Sequence, residues 1–494
     1  MLDNATALHL ATRLGFGPAP GEVGRIRQLG LESYLEQQLN ANVNQLPPAL
    51  AGQLHSIPAF GKDTYALYHE YWFTAIADLR PGQRLPREEK GLLRKITNGV
   101  GAQARMARLA RAIASPHRLQ EALVDFWFNH FNVFEHKKFV RVWVGAYEDE
   151  AIRPHTLGRF SDLLLATARH PAMLVYLDNW QNVAPGVRAH GKNAGINENY
   201  AREVMELHTL GVDGGYTQAD VTALAHILTG WSLGRGYGGG GRRQRDEDLA
   251  MRGGFGFHPA LHDRAPQTLL GRKFENHGEE DGEAALLMLA RHPSTARHIS
   301  YKLAQYFVAD EPPPKLTNHM ADVFTRTGGD LREVTRAMLT SGEFRDPANY
   351  GRKLKTPLQY IVSVARISGL DPRRSAPLAE ELKALGQPIY GCVTPDGYAC
   401  TESAWLDPDA MMRRLSFAVK FGSGAYMRAL PDQYGSMNKQ IHLQPEAGGT
   451  PLDSDTLVAA LGGELSIKTR QALAKVEKAE RAGLVLGSPE FMRA

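Results

Sequence analysis

Residues 197–220 read "NENYAREVMELHTLGVDGGYTQAD", a stretch that sets Glu198, Glu203, Glu206 and His208 on one short segment. Side chains at i and i+3 of a helix are neighbours. A carboxylate pair at that spacing, such as Glu203 and Glu206, can bind a hard divalent cation or share a proton. One helix cannot complete a coordination shell, so the remaining ligands must come from elsewhere. Two further places offer them: "DFWFNHFNVFEH", with Asp125, His130 and His136, and "FHPALHD", with His258, His262 and Asp263. The candidate chemistry is a divalent metal held by Glu203, Glu206 and the imidazoles of His130, His208 and His262. Such a site would support hydrolysis or oxidation, with Glu203 catalytic and Asp263 or Glu198 as general base or supporting partner.

The same residues have a plainer reading. At about 100° per residue, Glu198, Asn199, Arg202, Glu203 and Glu206 fall within an arc of roughly 140°, while Tyr200, Ala201, Val204, Met205 and Leu207 occupy the rest. Glu198–Arg202 and Arg202–Glu206 are then i,i+4 ion pairs on a solvated face. His208 projects among the apolar residues and can join Glu203 and Glu206 only if the helix unwinds before it. His130, in an aromatic run with Trp127, Phe128 and Phe131, reads equally as a core histidine with its nitrogens satisfied.

Helical periodicity dominates the elements that must carry these groups. Residues 22–40, 119–131, 158–179 and 283–310 all place apolar residues at mixed spacings of three and four. His170-Pro171 and His292-Pro293 each break a run in two, because the residue before proline is pushed out of the α region. Gly211 ends the central helix, and Thr217 with Asp220 forms a capping-box analogue for the next. Strands are scarce: "GFGFHP" (254–259) and "QTLLGRKF" (267–274) are expected to pair as a small ribbon. Between the helices and that ribbon, residues 234–254 are Gly-rich and charged, a loop suited to act as a lid. Residues 385–410 are irregular but expected to be ordered, since Tyr390, Tyr398 and Trp405 must pack. "AMLTSGEFRD" (337–346) and "LVLGSPEFMR" (484–493) echo one another as two helix-to-turn junctions. The fold class is therefore mainly α, a bundle-like set of helical hairpins with a small ribbon near 254–274 and long Gly-rich loops. Three regions are drawn at 1–180, 181–275 and 276–494, compatible with one continuous unit.

The 494 residues, 43% hydrophobic and 22% charged, are those of a globular chain with a sizeable core. A formal charge of +4, with both signs interspersed, supplies no field for nucleic acid, and "GRRQR" alone does not create one. Cys392 and Cys400 cannot form a disulfide framework or a four-ligand zinc site and are expected as free thiols. No window reaches the roughly 18 apolar residues of a membrane span, and the N-terminus lacks the basic region of a signal peptide. The expected address is the cytoplasm. H-E-x-x-H, G-x-S-x-G, Walker and Rossmann motifs are absent in any convincing context.

"HLATRLGFGPAPGEVGRIRQLGLESYLEQQL", the central "NENYAREVMELHTLGVDGGYTQADVTALAHILTGW", "HPSTARHISYKLAQYFVADEPPP" and "PDGY" with a following Trp together resemble a large bacterial family catalogued as domain-of-unknown-function number eighteen hundred. The resemblance implies a mostly helical bacterial protein and brings no activity or cofactor. The positions matching the pattern include Asn129, His130, Asn197, Glu198, Glu203, Glu206, His208, Gly211, Trp231, His262 and Asp263. The resemblance also suggests a partner, a secreted protein of the alkaline phosphatase and sulfatase-like superfamily; export together with it is conceivable, and the cytoplasm remains the expected address. A second class of function then stands beside the enzyme: a non-catalytic scaffold or accessory protein, its polar motifs forming a buried structural network.

Overall fold

Proline and glycine decide where the helices of this protein stop. The computed structural model describes residues 2–40, 45–73, 85–189, 192–193, 195–234, 254–428 and 451–494. The periodic run over 22–40 is two helices, Glu22–Leu29 and Leu31–Leu39, because Gly30 between them sits at φ +81°. At His170-Pro171 and His292-Pro293 the break is sharper, and the histidine is itself the N-cap. His170 Nδ1 accepts the Ala172 amide at 3.1 Å and His292 Nδ1 the Ser294 amide at 3.1 Å. These replace the usual Ser, Thr, Asp or Asn in satisfying a free N–H of the first turn. The Thr217–Asp220 capping box forms in both directions and starts the helix Gln218–Ile227.

The buried apolar residues form one principal core from Ala7 to Met492, running through all three sequence regions, with Trp127, Trp143 and Trp231 buried in it. Full burial of a large apolar side chain is worth about 1.5–3 kcal/mol. Residues 492–494 return to pair with 353–355: Lys353 and Ala494 exchange backbone hydrogen bonds at 3.1 and 2.8 Å, and the Lys355 amide donates to the Met492 carbonyl at 2.9 Å. The echo between 337–346 and 484–493 is the same junction built twice. Ser341 and Ser488 each cap a short turn by accepting the amide of a buried phenylalanine, Phe344 or Phe491. Each phenylalanine carbonyl then receives a buried nitrogen, His9 Nε2 at 3.1 Å or Lys355 Nζ at 2.6 Å.

Strand is confined to three two-stranded antiparallel pairs among the described residues. The expected pairing of 254–259 with 267–274 is not made. Phe255–Phe257 pairs instead with Trp231–Leu233, Trp231 lying opposite Phe257, and Gln267–Leu269 folds back on Arg272–Phe274. Leu270 and Gly271 explain the second: both have positive φ, +48° and +77°, the backbone of a tight hairpin that closes the 267–274 segment on itself. Most of the Gly-rich stretch 234–254, including the expected lid and "GRRQR", lies outside the described residues. Residues 385–410 are ordered as expected: Tyr398 donates to the Pro388 carbonyl at 3.0 Å and Trp405 Nε1 to the Ala399 carbonyl at 2.8 Å. No described helix is long and apolar enough to cross a membrane.

Candidate functional site

The central helix changes pitch in the middle of its motif. Asn199–Glu203 is α-helical, but Val204–Thr209 is a π-turn: the Leu210 amide bonds the Met205 carbonyl at 2.9 Å, and Thr209 Oγ1 bonds the Val204 carbonyl at 2.6 Å. Single π-turns inside helices concentrate at functional sites. Here the wider turn is held by two imidazoles from other helices. His130 Nε2 donates to the His208 carbonyl at 3.1 Å, and His298 Nε2 donates to the Leu207 carbonyl at 3.1 Å. These carbonyls belong to the last turn, where the backbone has no partner of its own. Gly211 ends the helix at φ +84°, and a Cβ there would stand 3.0 Å from His298 Nδ1. Glycine is therefore needed both for the conformation and for the approach of His298.

His208 lies inward, against Phe131 with ring centroids 5.0 Å apart, and its centroid is 6.0 Å from that of His130. Burial, then the nearby Lys302 ammonium, hold His208 down to about 3 and His298 to about 4, and lower His130 strongly. All three rings are neutral at physiological pH. His130 Nδ1 and His208 Nε2 are buried nitrogens without a hydrogen-bond partner.

The carboxylates take the other side. Arg202 turns to Glu198 at 3.0 Å and to Gln218 at 3.0 Å, while Thr222 and Gln218 also donate to Glu198. The expected Glu198–Arg202 pair is thus formed, and Glu198 ties the motif helix to the next one. Among the described residues Glu206 receives only the Tyr216 hydroxyl, at 3.5 Å, rather than Arg202. Burial raises the Glu203 carboxyl above the ordinary glutamate range, the Glu206 charge adds to this, Arg202 opposes it, and Asp396 from the 392–398 loop raises it further. None of Glu203, Glu206 and Asp396 forms an ion pair within 4.0 Å among the described residues. Asp396 and Cys400 are also the groups whose charges favour protonated Lys302, against a burial that lowers it.

Asn129 positions the loop that brings Asp396. Its Oδ1 accepts the Tyr398 amide at 2.7 Å and its Nδ2 donates to the Tyr398 carbonyl at 2.8 Å, so the side chain mimics a strand partner. Asn132 Nδ2 donates to the carbonyls of Cys392 and Thr394 at 3.1 and 2.8 Å. Gly397, at φ +75°, sits so close that a Cβ would stand 2.3 Å from the Asn129 carbonyl. Cys392 and Cys400, at either end of this loop, are free thiols.

"FHPALHD" serves another place. His262 is buried with Nδ1 donating to the Thr229 carbonyl at 2.8 Å, and the Asp263 amide donates to Thr229 Oγ1 at 2.8 Å. Asp263 pairs with His226; burial pushes its carboxyl up, but the Ala265 amide and the His226 ring outweigh that and hold it below the usual range. His258 donates to the Leu233 carbonyl at 2.8 Å, and His136 accepts from Arg141 at 2.8 Å. Asp125 belongs to a buried ionic network that the sequence does not announce. It takes Arg108 at 2.7 Å and the Tyr306 hydroxyl at 2.9 Å, while Glu148 takes Arg108 at 3.2 Å, Arg153 at 2.8 Å and the Tyr390 hydroxyl at 3.0 Å.

The residues expected to converge therefore fall into three groups: Glu203 and Glu206 with Asp396, His130 and His208 with His298, and His262 and Asp263 with Thr229 and His226. No cluster of three or more His, Cys, Asp or Glu among the described residues is placed to hold a metal ion. Asp396, His298 and Lys302 emerge only from the fold, although they lie in "PDGY" and "HPSTARHISYK", two stretches that stand out in the sequence.

A mainly α-helical chain with motif residues converging on a π-turn defines the class. The chain matches the family described as "Protein of unknown function (DUF1800)" over residues 9–493, and it belongs to that family. No curated protein and no solved structure matches it.

Proposed function

We propose that the protein is a hydrolytic enzyme that works by proton transfer at Glu203 and Glu206, with Asp396 near Glu203. The observation that carries this reading is that Glu203 and Glu206 form no ion pair within 4.0 Å among the described residues, while Arg202, next to Glu203 in sequence, is committed to Glu198 and Gln218. Like charges held together are unfavourable unless a proton is shared or a ligand arrives. A carboxyl raised in this way is a general acid, and an adjacent carboxylate can act as the base. The imidazoles of His130 and His298, from other helices, act as positioning residues, holding the π-turn that carries Glu206.

A second reading is a hard divalent cation carried by Glu203 and Glu206 and completed by water and substrate, since no third protein ligand is placed with them among the described residues. The test is a screen of p-nitrophenyl esters, phosphates and glycosides between pH 5 and 9, run beside elemental analysis of protein purified without chelator. Acid–base chemistry at this site requires turnover that falls at least a hundredfold in Glu203→Gln while the variant remains folded. Stoichiometric metal that disappears in Glu206→Gln would replace the first reading by the second. A folded variant with no metal and unchanged turnover would refute both and leave the motif as the network of an accessory protein.

A further inference from the structure

We infer that a cleft lined in part by Gly391 and Val393 binds a small molecule with an anionic head, phosphate or carboxylate, on an apolar body. This inference does not rest on the reading of Glu203 and Glu206.

The cleft has a volume of about 430 Å³ and lies between the helices Arg87–Ala114 and Leu378–Ala384, closed by residues 134–141 and 388–393. Ligand pockets run from about 300 to 1,000 Å³. Its charged lining is unbalanced: Arg105, Arg141 and Lys383 face Glu135 and Glu380, and Arg94 lies near enough to act on Arg141. The arginines are fixed rather than dangling. Arg105 pairs with Glu135 at 2.5 Å, and Arg141 donates to Asn98 Oδ1 and, at 2.8 Å, to His136 Nδ1. Accepting at Nδ1 makes His136 neutral, with its proton on Nε2.

Two donors are unspent. Arg141 Nε is buried without a hydrogen-bond partner, and Lys383 has no ion pair within 4.0 Å among the described residues. Guanidinium groups held together repel unless an acceptor arrives, and the planar fork of a fixed arginine matches two oxygens of a phosphate or a carboxylate. The opposite wall is apolar, made by Phe134, Pro388, Ile389 and Val393, and Val393 is 65% exposed. Gly101 makes the floor possible. A Cβ at this mid-helix position would stand 3.1 Å from Glu135 Oε2 and 3.4 Å from Arg105 Nη1. Glycine in a helix interior costs about 1 kcal/mol relative to alanine, and here it lets the ion pair lie flat against the helix.

The experiment is isothermal titration calorimetry of the full chain at low ionic strength with phenyl phosphate, benzoate, inorganic phosphate and benzyl alcohol. The expected result is saturable one-to-one binding of phenyl phosphate or benzoate, the tighter of the two identifying the head group. Affinity should fall about tenfold in Arg141→Gln, the loss expected for one charge-assisted hydrogen bond. A smaller loss, about threefold, is expected in Lys383→Gln, whose exposed side chain can be changed without disturbing the fold. Absence of saturable binding by either aromatic anion, or binding unchanged in Lys383→Gln and Arg141→Gln, overturns the proposal. Inorganic phosphate binding as tightly as phenyl phosphate, or benzyl alcohol binding as tightly as either anion, overturns it as well, since each would remove one half of the recognition.

Discussion

Replacing Asn129 by alanine removes both hydrogen bonds between this side chain and the Tyr398 backbone, at 2.7 and 2.8 Å. Each is worth about 0.5–1.5 kcal/mol net, so the docked 392–398 loop should lose about 1–3 kcal/mol. Spread over the whole molecule this is hard to see. Unfolding entropy of about 2.1 cal/mol/K per residue makes 1 kcal/mol worth only about 1 °C in a chain of 494 residues. Locally it is large, because amide exchange in a segment that opens by itself follows that segment's own free energy. Hydrogen exchange followed by mass spectrometry on peptides covering 392–400 should therefore speed up about 5- to 150-fold in Asn129→Ala, since 1.4 kcal/mol is tenfold. Asn129→Asp supplies a second, independent reading. It keeps an acceptor for the Tyr398 amide but faces the Tyr398 carbonyl with a carboxylate, so its effect should equal or exceed that of alanine. If the 392–400 peptides exchange within twofold of the wild-type rate in both variants, the side-chain clasp is not what holds Asp396 beside the glutamates, and the positioning argument fails.

Two further outcomes follow from the same geometry. Gly397→Ala should open the loop more than Asn129→Ala does in the same exchange experiment, because the new Cβ meets a backbone carbonyl at 2.3 Å and sits at φ +75°, so neither a rotamer change nor a small shift relieves it. Lys355 carries a pH signature: burial, then the charges of Arg414 and Arg13, lower its ammonium to about 7 from the ordinary 10.5. Between those values the unfolded chain binds the proton and the folded chain does not, so this group makes stability rise with pH from about 7 towards 10.5. Thermal melts of wild type and Lys355→Met should diverge in favour of wild type over that window. The variant also strips the Phe491 carbonyl and Ser363 of a donor at 2.6 and 2.9 Å. Parallel melting curves against pH would show that Lys355 keeps its proton in the folded state.

Periodicity, proline and caps in the sequence determined most of the helices of this protein. His170-Pro171, His292-Pro293, Thr217–Asp220 and Gly211 each act through their own backbone or within a few residues, so their effects are readable without tertiary context. The two Ser-x-Glu-Phe junctions were legible for the same reason, as was the Glu198–Arg202 pair, which one helical turn brings together. A small ribbon near 254–274 is present, but its pairing differs from the expected one because pairing is a tertiary choice: the Leu270-Gly271 turn closes one strand on itself, and Trp231–Leu233, with too little local signal to stand out, takes the other. The central motif was found, but its meaning depended on distance in space. The inward His208 follows from the 3.6-residue rule, but the imidazoles from residues 130 and 298 that hold its segment as a π-turn come from other helices and are set by packing. Asp396, His298 and Lys302 reach the same place from more than ninety residues away in sequence, carried by helix packing and by the Asn129 clasp. Residue types and short spacings determined which groups this chain has for chemistry. Only the burial of helix on helix decided which of them meet, which keep their charge, and which are spent on a backbone carbonyl.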